Sequence, residues 1–253
     1  MPSSSTWRGC HERRRRAGEA VVSPGNRRWA WVALGVVAAA AVAQPASQPP
    51  GAEDGGYVWN EMQGEKLIAL GARGDALRGE ITYEVCQGCH RSHALGRSDG
   101  SYPRLAGQHV TVLIKQMTDV RAGRRKNEKM LPFIDQHVVN PQDIADIAVY
   151  LTRLPSPPNH GRGRGDALST GEQIYRARCS ECHGRGGEGD AAKFYPRLNG
   201  QHYKYMVREM FDIRSGLRGN SNPRMQEVVR TMTDAEVEAA CDYVSRLPTD
   251  PAR

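Results

Sequence analysis

The chain's reactive side chains concentrate in two pentapeptides, Cys86-Gln87-Gly88-Cys89-His90 and Cys179-Ser180-Glu181-Cys182-His183. Two thiols separated by two residues can hold a metal, cycle as a dithiol, close a disulfide or add across the vinyl groups of a porphyrin. The histidine directly after the second cysteine selects among these. On one helical turn it lies beneath a macrocycle held by the two sulfurs, where a ring nitrogen can ligate iron. Thioredoxin-like chemistry expects a βαβ context, which the chain lacks. A zinc site pooling both motifs would require two distant segments to share one ion. The spacing therefore predicts Cys86, Cys89, Cys179 and Cys182 as thioether anchors of two covalently bound haems c, with His90 and His183 as the proximal iron ligands.

Each iron then needs a ligand on its opposite face, and a thioether there raises the potential and suits a carrier. Met130 follows Arg125 to Lys129, and Met225 follows Arg218 to Arg224. Both read as loop residues shortly after a matching asparagine, Asn127 or Asn220. They are the predicted distal ligands, with Met232 as the alternative to Met225. Met117 and Met210 also match but lie on an apolar helical face, which reads as packing. Pro103 and Pro196 each follow the proximal histidine by 13 residues. Their carbonyls are candidate acceptors for its second ring proton, which would orient the ring and tune the metal; the alternative is a proline that only shapes a loop. Arg104 and Arg197 could pair with haem propionates, because a guanidinium matches carboxylate geometry, or could simply be solvated. His109 and His202 each open a helix beside a glutamine and read as supporting or interdomain polar groups. Cys241 reads as a small buried thiol.

These residues recur because the chain repeats itself. Tyr102-Pro103-Arg104-Leu105-Ala106-Gly107-Gln108-His109 returns as Tyr195-Pro196-Arg197-Leu198-Asn199-Gly200-Gln201-His202, offset by 93 like the cysteine motifs. A long period present only twice means two tandem domains. The boundaries read as a leader over 1–43, an N-terminal extension over 44–72, a first domain over 73–155, a linker over 156–168 and a second domain over 169–253. Apolar residues at helical spacing predict an all-α fold. Val110, Leu113, Ile114, Met117 and Val120 mark one helix, and Tyr203, Met206, Val207, Met210 and Ile213 mark its counterpart. Last helices over Ile144 to Leu151 and Val237 to Val244 stop before Pro155 and Pro248. Within the extension, Glu61 to Ala72 is expected to form a short helix.

Arg13 to Arg16, Arg27 and Arg28 precede an apolar run from Trp29 to Ala43, which reads as a secretory signal peptide cleaved after Ala43. At 15 residues the run is shorter than a membrane span; the alternative is an uncleaved anchor. The formal charge of +7 comes largely from this segment. Without residues 1–43 the chain has 28 basic and 26 acidic residues. A near-neutral balance gives no reason to expect a nucleic-acid partner.

The paired C-x-x-C-H units, the duplicated Tyr-Pro-Arg-Leu-x-Gly-Gln-His and the Asn-then-Met segments resemble the dihaem class I cytochromes c of the cytochrome c4 type, over roughly residues 73 to 248. The resemblance implies two tandem class I cytochrome c domains related by pseudo-twofold symmetry, each iron His/Met ligated. It implies a periplasmic carrier, free or held at the outer face of the cytoplasmic membrane. Such a protein passes single electrons from a quinol-oxidising complex or a dehydrogenase toward a terminal oxidase or reductase, or serves as the haem-bearing partner of one dehydrogenase. Two features depart from the pattern: Arg91 stands where the second unit has Gly184, and the first unit carries the added segment 44–72. A dihaem peroxidase is the enzymatic alternative. It would need one open or switchable iron, and a methionine candidate in each unit argues against that.

Overall fold

The computed structural model describes residues 58–249, so the predicted leader lies outside the described residues. Among the described residues there are ten α-helices and no strand, only an isolated bridge between Asp190 and Tyr195. The first domain holds α1 (Gly64–Gly71), α2 (Ala76–Thr82), α3 (Glu84–His90), α4 (Val110–Arg121) and α5 (Pro141–Arg153). The second holds α6 (Leu168–Arg178), α7 (Ser180–His183), α8 (Tyr203–Ser215), α9 (Pro223–Arg230) and α10 (Asp234–Val244). None of these helices is long and apolar enough to cross a membrane.

Local chemistry sets several helix ends. Asn140 and Asp143 form a capping box at the start of α5, with Pro141 in the first helical position, where its missing N–H costs nothing. Thr233 and Glu236 do the same for α10. Gly216 closes α8 in the left-handed conformation, at φ 81°.

Each domain is built around one crossing, α2 against α5 and α6 against α10. Both crossings are close because a glycine faces the partner backbone. A Cβ on Gly79 would strike the Asp146 carbonyl, and one on Gly171 would strike that of Ala239. One core gathers Tyr83, Leu113, Ile114, Met117, Ile144, Ile147 and Leu151. The other gathers Ile174, Tyr175, Met206, Met232, Val237, Cys241 and Val244. Of the segment read as an extension, the described residues 58–72 carry α1, which packs on α4 and α5 and buries Ala69 and Lys66. The Pro/Gly-rich linker is likewise fastened, with Ser156 donating to the Ala106 carbonyl (3.2 Å) and His160 Nε2 to that of Ser245 (2.6 Å).

The domains meet through reciprocal contacts. Gln108 accepts from the Arg197 N–H through Oε1 and donates to the Arg197 carbonyl through Nε2, both at 2.9 Å. Gln201 does the same to Arg104, again at 2.9 Å twice. His109 Nε2 meets the Glu188 carbonyl and His202 Nε2 that of Leu95, each at 2.7 Å. Every one of these pairs maps onto the other by the offset of 93, which is the pattern of an isologous, pseudo-twofold interface.

Candidate functional site

The two motifs open onto one continuous cavity of about 700 Å³ that runs through both domains. Cys86, Cys89, His90 and Met130 line it on one side, and Cys179, Cys182, His183 and Met225 on the other. In the first domain α3 carries both thiols and the imidazole on consecutive turns; in the second, α7 begins just after Cys179 and ends at His183.

His90 Nδ1 lies 3.1 Å from the Pro103 carbonyl oxygen, and His183 Nδ1 lies 3.0 Å from that of Pro196. A carbonyl only accepts, so Nδ1 carries the proton and Nε2 keeps its lone pair for a metal. Burial pushes both imidazoles below the ordinary value, against the pull of those carbonyls. A neutral ring is the form that ligates. Burial also raises the thiols of Cys86 and Cys179 to about 11.

The loop between each histidine and its proline is shaped by two features that carry no obvious motif. Tyr83 and Tyr175 are fully buried and donate to the carbonyls of Arg91 and Gly184, just past the histidines, at 2.9 and 2.6 Å. Gly96 and Gly189 adopt φ of 67° and 72°, and a Cβ on either would collide with the carbonyl group of Pro103 or Pro196. Both glycines fall at the repeat offset of 93. That shared spacing was the signal available for them.

The methionines divide as follows. Met130 precedes a 3-10 turn over Leu131–Phe133, and its N–H is held by the carbonyl (3.1 Å) and side chain (3.2 Å) of Asn127. Met225 is not a loop residue as expected. It stands on the first turn of α9, which Asn222 caps by accepting from the Arg224 N–H (2.8 Å) and Pro223 begins. Met232, the alternative, is 4% exposed within the second core and does not face the cavity. Asn127 and Asn220 have parted ways. Asn220 is buried and reaches across to Asp119 (2.8 Å) and Gln116 (3.1 Å) of α4.

Arg104 and Arg197 both line the cavity. The Arg104 guanidinium is largely engaged elsewhere, however. Its Nη1 donates to the Pro157 carbonyl (2.8 Å) and its Nη2 to Asn159 (3.0 Å), because the linker folds back over it. Arg104 Nε is buried without a partner. Arg125 and Arg218 join the domains through one pair of equivalent residues. Each donates to Glu209 (3.0 and 2.7 Å) and to Gln116 (3.0 and 3.4 Å). The chemistry of this lining fits a haem: paired thiols beside a neutral imidazole, a thioether on the same lining, apolar walls, and guanidiniums, including the partnerless Arg104 Nε, for its carboxylates.

Comparison with known proteins agrees with this geometry. The family model for cytochrome c matches residues 168–248. Cytochrome c4 of Azotobacter vinelandii is 32% identical over 72% of this chain and 96% of its own length. A thiosulfate dehydrogenase electron acceptor from Stutzerimonas stutzeri strain A1501 is 29% identical, over 73% of this chain and 86% of its own. Among solved structures, reduced recombinant cytochrome c4 from Pseudomonas stutzeri superposes with a TM-score of 0.62 at 27% identity. That match covers 70% of this chain and all of the other.

Proposed function

Because the chain belongs to the cytochrome c4 family, we propose that it holds two haems c and relays single electrons between redox proteins outside the cytoplasm. The observation that carries this reading is the duplicated arrangement of thiol pair, carbonyl-bound histidine and cavity-lining methionine along one shared cavity. Bound haem supplies a one-electron iron couple. The chain supplies the rest. Cys86, Cys89, Cys179 and Cys182 fasten the two groups. His90 and His183 present Nε2 with the ring proton parked on a proline carbonyl. Met130 and Met225, which line the same cavity, would be the second ligands, and an iron held by both a histidine and a thioether would leave no position for substrate. The apolar walls would keep water out, and cavity-lining arginines would meet the propionates.

The predicted leader supports a periplasmic location, free or at the outer face of the cytoplasmic membrane. Donors in this reading are a quinol-oxidising complex or a dehydrogenase, and acceptors a terminal oxidase or reductase. The relative named as an electron acceptor of thiosulfate dehydrogenase favours a dehydrogenase as one partner.

Ligand binding separates this reading from a dihaem peroxidase. The reduced holoprotein is expected to resist carbon monoxide, and the oxidised form to leave hydrogen peroxide unconsumed, with low-spin spectra throughout. A high-spin population that binds either molecule would overturn the carrier reading.

A further inference from the structure

The carbonyl that receives His90 and the N–H that Gln201 holds belong to one peptide group. Pro103 contributes the oxygen, 3.1 Å from His90 Nδ1, and Arg104 contributes the N–H, 2.9 Å from Gln201 Oε1. The mirror arrangement runs from His183 through the Pro196–Arg197 peptide (3.0 Å) to Gln108 Oε1 (2.9 Å). Each glutamine belongs to the domain opposite the histidine at the far end of its chain.

Hydrogen bonds in such a series polarise one another. An acceptor on the N–H side puts more negative charge on the carbonyl oxygen. That oxygen then pulls harder on the imidazole proton, and the ring becomes a more basic ligand. Greater ligand basicity favours the ferric state and lowers the midpoint potential. Each glutamine also donates to the next carbonyl along, that of Arg104 or Arg197, at 2.9 Å. Held at both atoms, the segment has little freedom to rotate its proline carbonyl away from the histidine. Gln201 is buried, so water does not replace it readily.

We propose that the two domains tune each other crosswise: Gln201 of the second domain is a positioning residue for the first haem, and Gln108 of the first domain is one for the second. The proposal rests on the two-haem reading and adds the control that each domain exerts over the other's iron.

The test uses holoprotein carrying Gln201→Met or Gln108→Met, which keep the length of the side chain and remove the amide. Redox titration is followed by NMR, with haem methyl resonances assigned to each domain. Gln201→Met is expected to raise the first midpoint and leave the second in place, and Gln108→Met the reverse. The Nδ1 proton resonance of the histidine across the interface should move with it. A response confined to the haem of the mutated domain, an equal response of both, or none would overturn the proposal. If Gln201→Met does not fold, Gln201→Asn, which withdraws the amide but stays polar, serves in its place. In the wild-type protein, the Arg104 and Arg197 amides must exchange slowly with solvent; rapid exchange contradicts the proposal with no variant needed. A pyridine haemochrome assay that finds fewer than two covalent haems would instead overturn the function on which the proposal stands.

Discussion

Trp59 stacks on Tyr195, with ring centroids 6.0 Å apart and planes 15° from parallel. Phe194 meets the same indole edge-on at 6.4 Å, and the Lys115 ammonium sits 5.3 Å from its centre. The segment ahead of α1 therefore crosses to the second domain and lands beside the tyrosine that precedes Pro196. The ring pair alone is expected to contribute about 1 kcal/mol beyond the area it buries. Trp59→Ala should lower the thermal midpoint of the holoprotein, and Trp59→Phe should restore part of the loss. An unchanged midpoint in Trp59→Ala would show that the segment does not hold the domains together.

Glu209 is the one carboxylate that both Arg125 and Arg218 engage, with Arg208 on its other oxygen at 3.2 Å. Burial alone would raise its carboxyl, but the guanidiniums of Arg218, Arg125 and Arg208 together hold it below the ordinary 4.5. Removing it leaves buried cations without compensation, so Glu209→Ala should cost about 3–5 kcal/mol. The sign of the pH effect follows from the depressed value. The unfolded chain takes up this proton first, so the contribution is complete above about pH 5 and disappears as pH falls through the folded pKa. Urea unfolding between pH 6 and 3 should show a shallower acid limb in Glu209→Gln than in the wild type.

Arg91 adopts φ 71° and ψ 160°, a conformation essentially reserved for glycine, and its equivalent Gly184 sits at φ 78° and ψ 162°. The geometry is imposed by the turn after the histidine, where the Arg91 carbonyl accepts from the Tyr83 hydroxyl. Arg91→Gly should therefore stabilise the protein by about 1–3 kcal/mol, the strain of such a residue, and Gly184→Arg should destabilise it. Denaturant midpoints of the two variants check both signs.

Met225 lines the cavity and Met232 fills the second core. Met225→Ala should abolish the low-spin spectrum of the second haem with a modest effect on stability. Met232→Ala should leave that spectrum intact and cost about 2–5 kcal/mol, as buried methionine truncations do. Spectra and unfolding curves recorded on the same two variants separate the roles. The opposite pattern would exchange the two assignments.

Chemistry that depends on neighbours in the chain was readable from residue order alone. Cys86, Cys89 and His90 share one helical stretch, and Pro103 lies on a rigid turn at a spacing that repeats, so no long-range contact had to be guessed. Asn222-Pro223 is a helix-start signal for Met225, but the matching segment around Met130 is not helical, so the repeat points to a loop where the structure has α9. The Arg104 guanidinium was out of reach for a different reason. Its partners, Pro157 and Asn159, reach it only when the linker folds back, and nothing local encodes that path. The packing of α1 on α4 and α5 is likewise a tertiary choice. Gln108 and Gln201 lay in plain view in the repeat, but an amide that substitutes for a peptide partner has no signature short of the interface itself.

The central claim is that two covalently held haems, each closed on both faces, take up one electron apiece. Coulometric titration of the purified holoprotein, with optical spectra at every potential, tests it most directly. The expected result is two electrons per chain, low-spin spectra in both oxidation states, and pigment that stays with the polypeptide through acid–acetone extraction. Uptake of a single electron, a high-spin fraction at any potential, or extractable haem would contradict it.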